Sequence, residues 1–245
     1  HPAPTVLAFH KVSSRLSYGV TNYSPCRLRQ LLTVLKTDGS LGNTVLTFDD
    51  GYAHLADVLP DLMDDFGLQP LVFVPTAWIG RTNRWDYSHA FRSEPHLDRD
   101  TIAGLSNRGV VFGSHGHTHR SLEECTPEEL KRELTVSRDI LEDITGRPVT
   151  LLSYPFGRLN RAILQAVEQC GYTRAYGMHF PDPADAALAT GRVAVYGFDT
   201  PAIVRAKLRG NGGVYRCCRG AASLANRLSG GTILLNRLRG QSVSD

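Results

Sequence analysis

Two stretches of the chain concentrate side chains able to activate water. The first is Thr47-Phe48-Asp49-Asp50-Gly51, in which an apolar run ends in two adjacent carboxylates and a glycine. Neighbouring strand residues point to opposite faces, so both acids enter one pocket only if a turn at the strand end re-aims them. Beside a cation such a pair can divide labour, one as ligand and one as base, because the metal keeps both ionised near neutral pH. Asp-Asp-Gly also makes ordinary turns, so the pair takes its meaning from what else the chain offers.

The second stretch is Gly113-Ser114-His115-Gly116-His117-Thr118-His119, which holds three of the chain's nine histidines. Neutral imidazole is the commonest metal ligand. If one helical turn follows the preceding apolar run, His115 and His119 share a face and His117 points elsewhere. Two imidazoles and one carboxylate leave coordination positions open for water and substrate, as a catalytic metal site requires. The plainer alternative is a solvent-facing polar turn, and the nearby Asp pair argues against it.

For these groups to meet, the elements that carry them must share an end. Short apolar runs closing on polar residues recur at Thr5–His10, Thr44–Asp50, Leu71–Pro75, Val110–His115 and Val149–Pro155, each reading as a buried parallel strand. Helical patterns lie between them. The clearest starts at Thr126, with Pro127 at the first helical position and Glu129 completing a capping box. Its Leu130, Leu134, Leu141 and Ile144 share a face, and Gly146 with Pro148 ends it. Alternating strands and helices indicate an α/β fold with a mostly parallel sheet, closed into a barrel or left open. Such barrels place chemistry at the C-terminal strand ends, which brings residues 10, 50, 115 and 155 together.

TFDDG, then His115-x-x-x-His119 within GSHGHTH, then Ser153-Tyr154-Pro155-Phe156-Gly157, resemble in order and spacing the polysaccharide deacetylases of the NodB-homology type, carbohydrate esterase family 4. Weaker matches in LVFVPTAWIG, TPEELKRELTVSRDILEDITGRPV and RVAVYGFDTPAIVRAKLRG extend the resemblance from about residue 5 to about residue 209. It implies a distorted (β/α) barrel and removal of N-acetyl groups from amino sugars of a poly- or oligosaccharide or a lipid-linked sugar. It also implies a divalent metal, zinc first, with cobalt, nickel and manganese as alternatives. Asp50, His115 and His119 resemble the metal triad, and Asp49 the catalytic base. The backbone N–H near Phe156 is similar to the oxyanion donor, with Tyr154, Pro155 and Phe156 lining the substrate groove. Trp85, with Trp78 and Tyr87, offers a ring for sugar stacking or for ordinary packing.

Two positions depart from that pattern. The family's usual Arg two residues before the Pro of the third motif is Ser153 here, and the late Leu-x-x-His segment that supplies the acid is missing, His179 being the only histidine after His119. His10, closing the first run in AFHKV, resembles the branch in which an N-terminal histidine takes the acid role. The remaining histidines (His1, His54, His89, His96, His117 and His179) are read as ordinary. An O-acetyl esterase, a non-sugar amide hydrolase and a glycan-binding module without catalysis are the competing readings.

Composition sets the outer bounds. With 245 residues, 42% of them hydrophobic, and no dividing linker, the chain reads as one domain over 1–245 with a basic segment from about residue 210. Residues 201–245 hold eight Lys or Arg and one acid, Asp245, leaving 19 basic and 23 acidic residues elsewhere. Such a tail suits an anionic membrane surface or a phosphate-linked glycan, or simply forms a solvated basic helix. Nucleic acid is not expected, because Tyr215 is the sole aromatic after residue 210 and no base-reading motif accompanies the charge. Five cysteines without a C-x-x-C pair favour free thiols and a cytoplasmic or membrane-peripheral location; a removed leader peptide would place the protein in the periplasm or outside the cell.

Overall fold

The computed structural model describes residues 4–14, 21–82, 94–178 and 187–209. Strands β1 (Thr5–Phe9), β4 (Thr44–Phe48), β5 (Leu71–Val74), β6 (Val111–Ser114), β7 (Leu151–Ser153), β8 (Arg174–Gly177), β9 (Thr190–Gly191) and β10 (Val193–Ala194) form one sheet. Its order is β10-β1-β4-β5-β6-β7-β8-β9, and every pairing in it is parallel. A separate two-stranded ladder joins β2 (Lys11–Val12) to β3 (Asn22–Tyr23). Helices α1 (Pro25–Thr37), α2 (Leu55–Phe66), α3 (Arg99–Asn107), α4 (Pro127–Thr145), α5 (Arg161–Gln169) and α6 (Pro201–Leu208) connect or follow the strands.

The two edges of the sheet are neighbours in sequence. β9 pairs with β8 and β10 pairs with β1, and only Arg192 separates them, so the chain crosses from one edge to the other at a single residue. That crossing draws the sheet into a nearly closed barrel, the architecture expected for an all-parallel sheet covered by helices. It also puts a guanidinium at the seam.

Alternation along the strands separates core from site. Leu7, Phe9, Leu46, Phe48, Val72 and Val74 are buried in one cluster with Leu28, Leu31 and Leu32 of α1 and Leu55, Leu59 and Leu62 of α2. The intervening residues Val6, Val45, Leu71, Phe73, Leu151 and Tyr176 form a separate, smaller cluster inside the barrel. Continuing that inward set by twos leads from Val6 to His10, from Val45 through Thr47 to Asp49, and from Gly113 to His115. Gly113 leaves room for the Phe73 ring, since a Cβ there would lie 2.6 Å from it.

Helix α4 starts and stops as its sequence dictates. Thr126 Oγ1 accepts from the Glu129 N–H at 3.2 Å, Glu129 Oε2 accepts from the Thr126 N–H at 2.9 Å, and Gly146 ends the helix at φ 64°. Leu130, Leu134 and Leu141 are buried as the periodicity predicts, but Glu133 and Ser137 share that buried face. Among the described residues no helix is long and apolar enough to cross a membrane.

Candidate active site

Asp49 and Asp50 follow β4 directly, and the backbone separates their roles. Asp49 N–H still donates to the Phe9 carbonyl at 2.8 Å, continuing the ladder, whereas Asp50 turns into the left-handed region at φ 71° with Gly51 behind it at φ 61°. A non-glycine residue is strained in that region, and the turn made there brings the second carboxylate toward the pocket of the first. His96 supports the turn: its Nδ1–H donates to the Asp50 carbonyl at 2.7 Å, and its ring lies 5.0 Å from that of Tyr52.

Ligand atoms of Asp50, His115 and His119 all lie within 4.8 Å of one another. Asp50 Oδ1 is 3.6 Å from His115 Nε2 and 3.2 Å from His119 Nε2, yet it is buried and makes no hydrogen bond. His115 donates its Nδ1–H to the Ser153 carbonyl at 2.8 Å, which fixes the tautomer with the Nε2 lone pair facing Asp50. Burial pushes the His115 pKa down to about 4, against the opposing pull of Asp49, so the ring is neutral at pH 7. Burial also opposes the charge on Asp50, but the histidines around it, His119 first, hold its carboxyl well below the usual carboxylate range. A buried acceptor without a hydrogen bond, set against two imidazole nitrogens, fits a divalent cation of the kind that takes one oxygen and two nitrogen ligands.

Asp49 is held differently. Arg192 Nη1 donates to Asp49 Oδ1 and Nη2 to Asp49 Oδ2, both at 2.7 Å, the two-pronged geometry that a guanidinium matches best. The same guanidinium reaches Ser153 Oγ at 2.8 Å and Thr47 Oγ1 at 3.0 Å, and Ser153 Oγ donates to Asp49 Oδ2 at 3.3 Å. Burial raises the Asp49 pKa, but Arg192, followed by His115 and His10, outweighs it and the net shift is downward. Asp49 is therefore a buried carboxylate held in its charged form by Arg192, beside the Asp50, His115 and His119 cluster.

The sequence model of the polysaccharide deacetylase family matches residues 36–175, more than half of the chain. The chain belongs to the polysaccharide deacetylase family. It is 27% identical over 129 residues to YxkH of Bacillus subtilis (strain 168), a polysaccharide deacetylase by designation, a match covering 52% of this chain and 42% of YxkH. The chain thus spans less than half the length of that relative. The fold is similar to that of the Streptococcus pyogenes deacetylase PplD in complex with acetate, with a TM-score of 0.68 at 18% identity, covering 83% of this chain and 96% of PplD. It is equally similar to BC0361, a polysaccharide deacetylase from Bacillus cereus, with a TM-score of 0.68 at 22% identity over 82% of this chain and 67% of that one. These likenesses support the NodB-type barrel.

Within this deacetylase fold the expected residues fare differently. Asp49, Asp50, His115 and His119 come together, and His10, half-buried just beyond β1, lies near enough to favour ionisation of both aspartates. The helical turn expected to align His115 with His119 does not form: residues 115–119 are a loop, with Gly116 at φ 74° and His119 at φ 63°. Tyr154 and Pro155, expected in the groove, are buried, and the Tyr154 hydroxyl donates to the Leu188 carbonyl at 2.7 Å, so neither presents open surface to a sugar. Phe156, at φ 59°, keeps a place beside the site with its ring 5.1 Å from that of His119. Trp85 and Tyr87, as well as the basic segment from residue 210, lie outside the described residues. Cys26, Cys125 and Cys170 are free thiols, as expected.

Two functional residues escaped the sequence reading. His96, which sits in no motif, braces Asp50. Arg192 supplies the guanidinium that Ser153 lacks, and its signal was a lone Arg opening the apolar run Val193-Ala194-Val195.

Proposed function

We propose that the protein is a metal-dependent N-deacetylase acting on amino sugars of a poly- or oligosaccharide. The observation that carries this reading is the pairing of an Asp50, His115 and His119 cluster, with ligand atoms within 4.8 Å of one another, with an Arg-held Asp49 next to it. Asp50, His115 and His119 would hold a divalent cation. When bound, such a cation supplies Lewis acidity, polarising the acetyl carbonyl and making a water more acidic. The rest of the chemistry falls to the chain. Asp49 accepts the proton of the attacking water, and Arg192 keeps the carboxylate oriented while this happens. The backbone N–H near Phe156 donates to the oxygen that becomes negative, a contact whose loss costs roughly a hundredfold or more in such sites. His10 delivers a proton to the departing nitrogen.

That last role bears on the choice of bond. An amine is a poor leaving group unless protonated, so an acid beside the site suits an amide more than an acetate ester. Zinc is the first candidate cation, since two nitrogens and an oxygen with open positions are its usual catalytic set. The test is acetate release from N-acetylglucosamine oligomers compared with O-acetylated xylan, using zinc-loaded protein. Faster release from the N-acetylated substrate is expected, and release from the ester alone would replace this reading with the esterase.

A further inference from the structure

One buried charge has no part in the chemistry above. Glu133 projects from the buried face of α4, is 5% exposed, and lies on the face that also carries Leu130, Leu134, Ser137 and Leu141. Its carboxylate is saturated from one side only. Oε2 accepts from the His117 N–H at 2.7 Å and the Thr118 N–H at 2.9 Å, while Oε1 accepts from Thr118 Oγ1 at 2.6 Å. Two consecutive N–H groups converging on one anion form a backbone nest, here filled by a side chain of the same molecule. Burying a carboxylate is costly unless strong hydrogen bonds meet it, and these three donors do so.

All three bonds fall on the few residues that separate His115 from His119. The opposite side of the same loop is tied to the segment after β5. Ala77 N–H donates to the His117 carbonyl at 2.8 Å, Thr76 N–H to the Gly116 carbonyl at 3.3 Å, and Thr76 Oγ1 meets His117 Nδ1 at 2.9 Å. The loop's carbonyls are thus gripped by one wall and its N–H groups by Glu133. Gly116 fits between them because it lacks a side chain: a Cβ there would stand 3.1 Å from Glu133 Oε2, at φ 74°. His119 then enters the left-handed region at φ 63°, which an unrestrained loop would leave.

We infer that Glu133 is a positioning residue for the metal site: by clamping residues 117 and 118 it sets the spacing and aim of the two imidazoles and so determines how tightly the site binds a divalent cation. The inference rests on the reading that His115 and His119 are ligands. Partners that orient ligands without touching the metal typically contribute 10- to 100-fold in affinity, and a clamp on the loop joining two ligands acts on both at once.

The experiment is a zinc titration of metal-free wild-type, Glu133→Ala, Glu133→Gln and Thr118→Val proteins by competition with a chromophoric chelator, with thermal melts of each metal-free protein alongside. Glu133→Ala is expected to bind zinc roughly 10- to 100-fold more weakly than wild type. Glu133→Gln keeps a carbonyl oxygen for the two N–H groups and should fall between them, while Thr118→Val, which removes only the hydroxyl donor, should lose several-fold. A merely structural role would lower the metal-free melting temperature and leave the affinity of the folded protein unchanged; wild-type affinity in folded Glu133→Ala overturns the inference. If Glu133→Ala does not fold, unchanged affinity in both Glu133→Gln and Thr118→Val overturns it instead. Should wild type bind none of zinc, cobalt, nickel or manganese, the metal reading beneath it falls first.

Discussion

Asp49 and Asp50 are adjacent in the chain, similarly buried, and opposite in their bonding. Asp49 has both oxygens engaged by Arg192, with Ser153 completing the ring of donors. Asp50 has a buried Oδ1 with no hydrogen bond, facing two imidazole nitrogens. Since a buried acceptor without a hydrogen bond is costly, the first carboxylate is complete within the chain, whereas the second, with only imidazole nitrogens beside it, fits a bound cation. That difference supports the proposed roles: the Arg-held acid would keep its orientation for proton transfer, and Asp50 would be the ligand.

The largest expected effects break the two halves separately. His115→Ala and Asp50→Asn should lose bound metal and all measurable acetate release, whereas Asp49→Asn should retain metal and lose roughly 10²- to 10⁴-fold in turnover. Metal content of the purified variants, measured beside acetate release, separates these outcomes; metal loss from Asp49→Asn would erase the contrast.

Next is Arg192. Arg192→Ala leaves Asp49 buried without its counter-charge, which should cost about 3–5 kcal/mol in denaturant unfolding and most of the activity. Returning the guanidinium from β7 in the double variant Ser153→Arg, Arg192→Ser should recover part of both. No recovery would show that the seam of the barrel, and not only the charge, is needed.

Acid should then weaken the metal-free protein in a defined window. His115 and His96 have pKa values lowered from 6.5 to about 4 by burial. Groups depressed in the folded state contribute stability that is present above the unfolded value and is lost as pH falls toward the folded one, because the unfolded chain then binds more protons. Melting temperature of metal-free protein should therefore fall between pH 6.5 and pH 4, and His96→Gln should flatten the slope. A melting temperature that rises as pH falls through that range would contradict the burial of neutral imidazoles. The smallest effect belongs to Ser153→Ala, which removes hydrogen bonds to Arg192 and Asp49 while leaving the ion pair, and should cost about 1 kcal/mol in unfolding experiments.

Much of this was legible in the sequence because it is local. Apolar runs of four to six residues mark β1, β4, β5 and β6, and the capping box and Gly146 mark both ends of α4. Asp49, Asp50, His115 and His119 stood out because each pair sits at a strand end. What could not be read depends on contacts between distant residues. Arg192 meets Asp49 across 143 positions, and nothing in the run Arg192–Val195 indicates that it closes the barrel. The geometry of residues 115–119 is set by Glu133, so helical spacing gave the right pair of histidines through the wrong local shape. Tyr154 resembles a groove residue by its motif, but burial against the Leu188 carbonyl is a tertiary outcome.

The central claim is that Asp50, His115 and His119 complete themselves with a cation and that deacetylation depends on it. Its most direct test is acetate release from N-acetylglucosamine oligomers by protein stripped of metal, followed as zinc is added back. Activity should be absent at the start and rise to a plateau at one zinc per chain. Undiminished acetate release from protein with no bound metal would contradict it.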